Sequence, residues 1–181
     1  MRGLWLGVLG VLVACGSSAA NQASVEFTPK DNLAFDDAVD VIDRPVIVES
    51  EWQGQFERRV THADFIGSVR VESISVDQDR RGAGYRLVAR VVETLLGRAP
   101  RELALEVHDD QPGFESVRMY EDDLLGGRFI VFVKWQAQAD SREVLPRWHL
   151  SPDSPGVRDK VRFFLNPGAS DGRTEVEVLA P

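Results

Sequence analysis

Asp77, Asp79 and Gly82 stand at the first, third and sixth places of "DQDRRGAGYRLV", which is the spacing of a calcium-binding loop. Such a loop needs oxygen ligands at places one, three and five, glycine at six and glutamate at twelve. Place five is Arg81, a cation where a ligand belongs, and place twelve is Val88. Those two departures exclude calcium. The histidines are His62, His108 and His149, with no pair at the i, i+4 spacing of a helical zinc site. "EVHDD" puts Glu106 and His108 on one face of an extended strand, with Asp109 and Asp110 beyond. That set could hold a metal or act as acid and base, or be the solvated end of a strand. There is no G-x-S-x-G elbow, P-loop or H-E-x-x-H. Trp52, Trp135 and Trp148 fall in separate expected strands. Together on one face they could bind a sugar or an apolar partner; apart, they pack a core. "RWHL" then places Trp148 inward and His149 outward.

The glycine stretch admits one more chemistry. "RRGAG" resembles the acyl-CoA loop of the N-acetyltransferase superfamily, which lies between a strand and a helix and holds a pyrophosphate on backbone N–H groups. Gly82 and Gly84 match the two small positions, with Arg81 beside them, and Tyr120 matches a tyrosine further on. Asp79 stands where that family needs Gln or Arg, and the family's later Gly-Phe is missing. The competing reading is a hairpin turn in which glycine supplies positive φ.

The elements that would position these residues are mostly strands. "AFDDAVDVID", 34–43, reads as one or two helical turns, and "PVIVESEW" as a strand ending at Trp52. In the β-branched strand that follows, Val69, Val71, Ser73 and Ser75 share one face, and Arg70, Glu72, Ile74 and Val76 the other. "YRLVARVVETLL" fits a strand better than a helix because a long β run and a glycine turn precede it. "RELALEVH" alternates Leu103, Leu105 and Val107, a short helix is expected within 116–125, and "RFIVFVKW" is bulky on both faces, as a central strand would be. "EVLPRWHLS" reads as extended. "SPGVRDKVRFFLNPG" is a helix capped by Ser154, with Pro155 at its first position and an apolar face of Val157, Val161, Phe164 and Leu165. "TEVEVL", 174–179, is a strand or a loose tail. These elements predict a mainly β, α+β fold: a small OB-like barrel or sandwich with a covering C-terminal helix.

The N-terminus bears on location. Arg2 is followed by the uncharged "GLWLGVLGVLVA", too short for a spanning helix of roughly 20 residues and ordered like a signal peptide. It ends in "LVAC", which resembles the lipobox of bacterial lipoproteins. The resemblance implies cleavage before Cys15, diacylglycerol on its thiol and acylation, palmitate for example, of the new amine. Two or more chains hold a protein on a membrane where one does not. Cys15 is the chain's single cysteine, so no internal disulfide can form. The expected organisation is a signal peptide (1–14), lipidated Cys15 and a flexible tether (15–33), a β-domain (34–166) and a tail (167–181). Residues 61–165 are similar in their hydrophobic blocks to uncharacterised bacterial lipoproteins with an OB-like or netrin-module-like barrel, through "ADFIGSVRVESI", "RFIVFVKW" and "WHLSPDS". OB barrels bind oligonucleotides, sugars or proteins on one face. A net charge of −8 argues against nucleic acid.

The expectation is a lipid-anchored protein of the cell envelope, on the periplasmic or surface side. It is a non-enzymatic module with no cofactor or metal that binds an envelope protein or glycan. Trp52, Trp135, Trp148 and His149 are its candidate surface. The alternatives are an acyltransferase-like enzyme built on Arg81, Gly82, Gly84 and Tyr120, which export from the cytoplasm disfavours, and a purely structural envelope spacer.

Overall fold

A run such as "RFIVFVKW", apolar on successive residues, needs cover on both faces, and that demand organises the molecule. The computed structural model describes residues 27–40, 49–79, 82–137 and 144–167. Cys15, Arg81, the polar tether after Cys15 and the possible strand at 174–179 lie outside them. The strands are β1 (Ala38–Val39), β2 (Phe65–Asp79), β3 (Gly82–Gly97), β4 (Glu102–His108), β5 (Arg128–Ala137) and β6 (Val144–Pro152). The helices are α1 (Glu49–His62), α2 (Phe114–Met119), α3 (Glu121–Leu124) and α4 (Pro155–Leu165). One sheet runs in the order β1-β6-β5-β2-β3-β4. Its neighbours are antiparallel except β1, which runs parallel to β6.

Trp148 on β6 donates its Nε1–H to the Glu106 carbonyl on β4 at 3.1 Å. Those strands are far apart in the sheet order, so the sheet curls into a half-barrel. Inside the curl Val71, Leu87, Leu105, Val131 and Trp148 pack with Val117 and Leu124 of α2 and α3. The other face packs Ile66, Ile130 and Phe132 under Trp52, Phe56 and Val60 of α1 and Val161 of α4. β5 lies between two strands and beneath both cores, which is why it is buried from Phe129 to Lys134. The mainly β, α+β class with a covering C-terminal helix is therefore what the chain adopts. Ser154 caps α4 through its hydroxyl, which accepts from the Val157 N–H at 3.2 Å.

The β2–β3 pairing runs from Phe65 with Gly97 to Asp79 with Gly82, so residues 85–96 are strand and Gly82 to Gly84 open β3. The faces of β2 depart from simple alternation. A register shift between Val71 and Ser73 turns Ser73 and Ser75 to solvent and lets Ile74 pack on the inner core.

The segment before β2 also differs from expectation. From Glu49 the chain is helix, so Trp52 sits in α1 and not at a strand end. The stripe Trp52, Phe56, Val60 at i, i+4, i+8 outweighs the β-branched run ahead of it. Within 34–43, the described residues hold no helical turn; a 3₁₀ turn precedes them at Asp31–Leu33, and β1 follows. Residues 28–33, expected in the tether, join the fold: Asp31 is buried, accepts from Thr28 N–H at 2.8 Å and lies 2.8 Å from His62 Nδ1.

Candidate functional site

Two polar arrangements stand out, one open and one buried. The open one lies on the outer face of β2, β3 and β4. Asp77 pairs with Gly84 and Gly84 with His108, so these three form a row across the strands. Ser75, Arg86 and Glu106 form the next parallel row on the same face. Gly84 has no side chain, and a Cβ there would come within 3.0 Å of His108 Nδ1. The gap is a half-open notch of about 320 Å³ lined by Asp77, Gln78, Gly84, Arg86, Glu106 and His108. Arg86 and Glu106 lie 3.7 Å apart at its side. His108 Nδ1 is buried with no hydrogen-bond partner among the described residues, whereas the His108 N–H is taken by Gln111 Oε1 at 2.6 Å. The notch thus offers a carboxylate, an imidazole nitrogen and a guanidinium–carboxylate pair on a rigid three-strand platform. Such groups can hydrogen-bond a hydroxyl-rich or amide-bearing ligand.

"EVHDD" does not close into a metal site. Asp109 turns to the hairpin base, where its carboxylate accepts from Ala83 N–H at 3.2 Å. Among the described residues no group of three His, Cys, Asp or Glu side chains is placed to hold a metal.

The described part of the glycine stretch is not built as the acyl-CoA resemblance requires. Its loop must lead into a helix whose N-terminus faces the pyrophosphate. Gly82 and Gly84 instead open β3, and Tyr120 is the residue that ends α2. Gly82 takes φ 126°, the positive value that a hairpin demands of glycine.

The tryptophans do not share a surface. Trp148 is fully buried inside the curl and half-buried Trp135 packs against the same core. Trp52 packs on the opposite face, with Lys160 Nζ 4.0 Å from its ring centroid. His149 does not point outward: it is 1% exposed, under α1.

His149 centres the buried arrangement, whose other members sequence reasoning did not single out. Its Nδ1 lies 2.8 Å from Asp36 Oδ1 and its Nε2 lies 2.9 Å from Asp40 Oδ2. Both ring nitrogens face carboxylates, an arrangement that suits the doubly protonated imidazolium. Arg59, only 2% exposed, completes the group. Its Nε–H donates to the Ala34 carbonyl at 2.8 Å, and its Nη atoms lie 3.5 Å from Asp40 and 4.0 Å from Asp36. Burial would raise the Asp36 and Asp40 carboxyls, but the charge and bonds of His149, aided by Arg59, hold them below the usual range. Burial and Arg59 would lower His149; the two aspartates outweigh them and raise it.

Asp37, between the two, accepts from Arg147 Nη1 at 3.0 Å, Gln111 Nε2 at 2.9 Å and Trp148 N–H at 3.1 Å. Its burial pushes the carboxyl up to about 7, against the pull of Arg147 and the Trp148 N–H. Fully buried Lys134 is a separate matter: its Nζ donates to the His62 carbonyl at 3.2 Å and closes the end of α1. The one sequence signal for the buried group was a run of aspartates, 31, 36, 37 and 40, set among Ala34, Phe35, Ala38 and Val39.

Among the described residues no helix is long and apolar enough to cross a membrane. Compared with known proteins, the chain matches no family model, no curated protein and no solved structure.

Proposed function

We propose that the chain is an exported, lipid-anchored binding module of a bacterial cell envelope, held by Cys15 and working without covalent chemistry. The basic start, the short apolar stretch and "LVAC" support export and lipidation. The observation that carries the binding reading is how the polar groups are divided. His149, Asp36, Asp40 and Arg59 are bonded to one another beneath α1, whereas the open notch presents hydrogen-bonding groups of both signs on fixed strands. Polar groups fixed in a concavity are what set a ligand's orientation. The ligand class that fits is an envelope glycan, whose hydroxyls both donate and accept.

The test has two parts. Full-length protein and Cys15→Ser are fractionated from cells fed labelled palmitate. Label and membrane recovery should both require Cys15; a soluble, unlabelled wild type refutes the anchor. Separately, the protein and Gly84→Val are titrated with envelope glycan fragments while the His108 ring resonances are followed by NMR. Saturable shifts in the wild type that vanish when valine fills the notch support the site. No shift at millimolar glycan, the weak end of specific affinity at about −4 kcal/mol, refutes it.

A further inference from the structure

The segment from Thr28 to Asp40 lies on the rest of the molecule as a strap, held by the buried side chains of Ala34, Phe35 and Val39 and by a set of ionic contacts. It carries four carboxylates, and each meets a basic side chain elsewhere. Asp31 meets His62, Asp36 and Asp40 share His149 and Arg59, and Asp37 meets Arg147. The backbone adds little. Asp37 N–H donates to the Trp148 carbonyl at 2.9 Å, Asp40 N–H to the Leu150 carbonyl at 2.8 Å, and Val39 N–H to Ser116 Oγ at 3.0 Å. β1 itself is two residues long.

We infer that this strap is a proton-operated latch, closed while the imidazolium of His149 bridges Asp36 and Asp40 and released from the edge of β6 when that proton is lost. The geometry sets the requirement. A neutral imidazole has one N–H, so one ring nitrogen would turn a lone pair on a carboxylate less than 3 Å away. Only Arg59 would then remain to balance Asp36 and Asp40. The charged groups around His149 are Asp36, Asp37 and Asp40 on the strap, Arg59 on α1, Arg147 two residues before it on β6, and Lys134 on β5 two residues beyond its cross-strand partner Phe132. The two carboxylates that touch it favour the proton, and the cations oppose it.

The sign follows from linkage. His149 is raised in the closed state, so its contribution is complete below the ordinary histidine value of about 6.5. That contribution is lost as pH rises through the closed-state value. Asp37 acts in the same direction but over a lower range: its buried carboxyl, held up to about 7, costs stability as pH rises from the ordinary carboxylate value to about 7 and adds no further loss above that. Asp36 and Asp40 are depressed, so acid opens the latch only as pH falls below the ordinary carboxylate value. The latch is therefore closed in mild acid and loosens toward alkaline pH. Release bares the Trp148 and Leu150 carbonyls on β6, withdraws Ala34 and Phe35 from the outer core and draws Val39 out of the inner one. If Cys15 is the anchor proposed above, the freed segment also lengthens the tether by on the order of 40 Å; the latch itself does not depend on that anchor.

Hydrogen exchange of the full-length chain, read by mass spectrometry from about pH 5 to about pH 9, tests this. After correction for the intrinsic rate, protection of peptides covering 28–40 should fall by up to tenfold per pH unit above about 6.5, while β5 peptides keep theirs. His149→Gln, and separately Asp36→Asn with Asp40→Asn, should flatten that dependence. Constant strap protection across the range overturns the proposal. So does parallel loss in the strap and β5, or an unchanged slope in His149→Gln. Nitrogen-detected NMR of the wild-type imidazole needs no variant: both His149 ring nitrogens should be protonated at neutral pH, and a neutral tautomer there also overturns it.

Discussion

Replacing Arg59 by methionine tests whether the strap is held by charge or by packing. Arg59 is 2% exposed, and methionine keeps most of its apolar stem. The change removes the bond to the Ala34 carbonyl and leaves Asp36 and Asp40 with His149 alone. Removing one partner of a buried ion pair costs about 3–5 kcal/mol because the other charge stays buried. Here the carboxylates are 25% and 30% exposed, so water recovers part of that loss. The expected cost is near the lower limit, about 3 kcal/mol. For a domain of this size that is a fall in Tm of roughly 6–12 °C. Urea unfolding at about pH 6, where His149 is charged, gives the value, and the slope of unfolding free energy on urea should be unchanged. Adding Asp36→Asn and Asp40→Asn to Arg59→Met should recover at least half of the loss, since no uncompensated anion then remains. A cost below about 1 kcal/mol, the range of an exposed pair, would mean that the carboxylates are already hydrated. The ionic account of the strap would then be wrong.

Phe132→Ala should cost about 3–5 kcal/mol, because the ring is fully buried against Phe56 and nothing nearby can fill its place; thermal unfolding measures it. A second acid, Asp153, ties β6 to α4 and β2. Hydrogen bonds from Arg158 and Ser68 hold its carboxyl low against the effect of burial. Its contribution is present above the ordinary carboxylate value and fades as pH falls through its depressed one. Asp153→Asn should therefore destabilise the fold at neutral pH and by progressively less toward about pH 3, as unfolding curves across that range will show.

The strands were legible because their burial is periodic. Leu103, Leu105 and Val107 alternate in β4 and are buried as that pattern requires. β5 was legible for the opposite reason, since an unbroken bulky run needs two covering layers. α4 carried its own cap, N-terminal proline and apolar face. The misreadings have a common physical source, which is that long-range contacts outweighed local pattern. Ser73 and Ser75 left the face expected to hold Val69 and Val71 as well, because one extra residue at the bulge reset the register. His149 alternates with Trp148, which suggested solvent on its side of β6, but α1 and the strap cover that side. No local rule places Asp36 and Asp40 beside a strand more than a hundred positions away.

That distant bond also explains how so short an edge strand finds its register. Two residues of parallel pairing discriminate weakly between neighbouring alignments. Ala38 lies opposite His149, and Asp36 and Asp40 stand two residues to either side of Ala38. Its small side chain leaves the imidazole room to reach both carboxylates. A slip of two residues in either direction would bring one aspartate opposite the ring and carry the other out of reach. It would also remove Asp37 from Arg147, Gln111 and the Trp148 N–H, leaving a half-buried guanidinium and a buried amide without their acceptor. A misaligned strap thus leaves charges unpaired in the outer core, a cost of several kcal/mol that two backbone bonds cannot offset. The ionic group is a register device first, and its dependence on one proton is what makes the same device releasable.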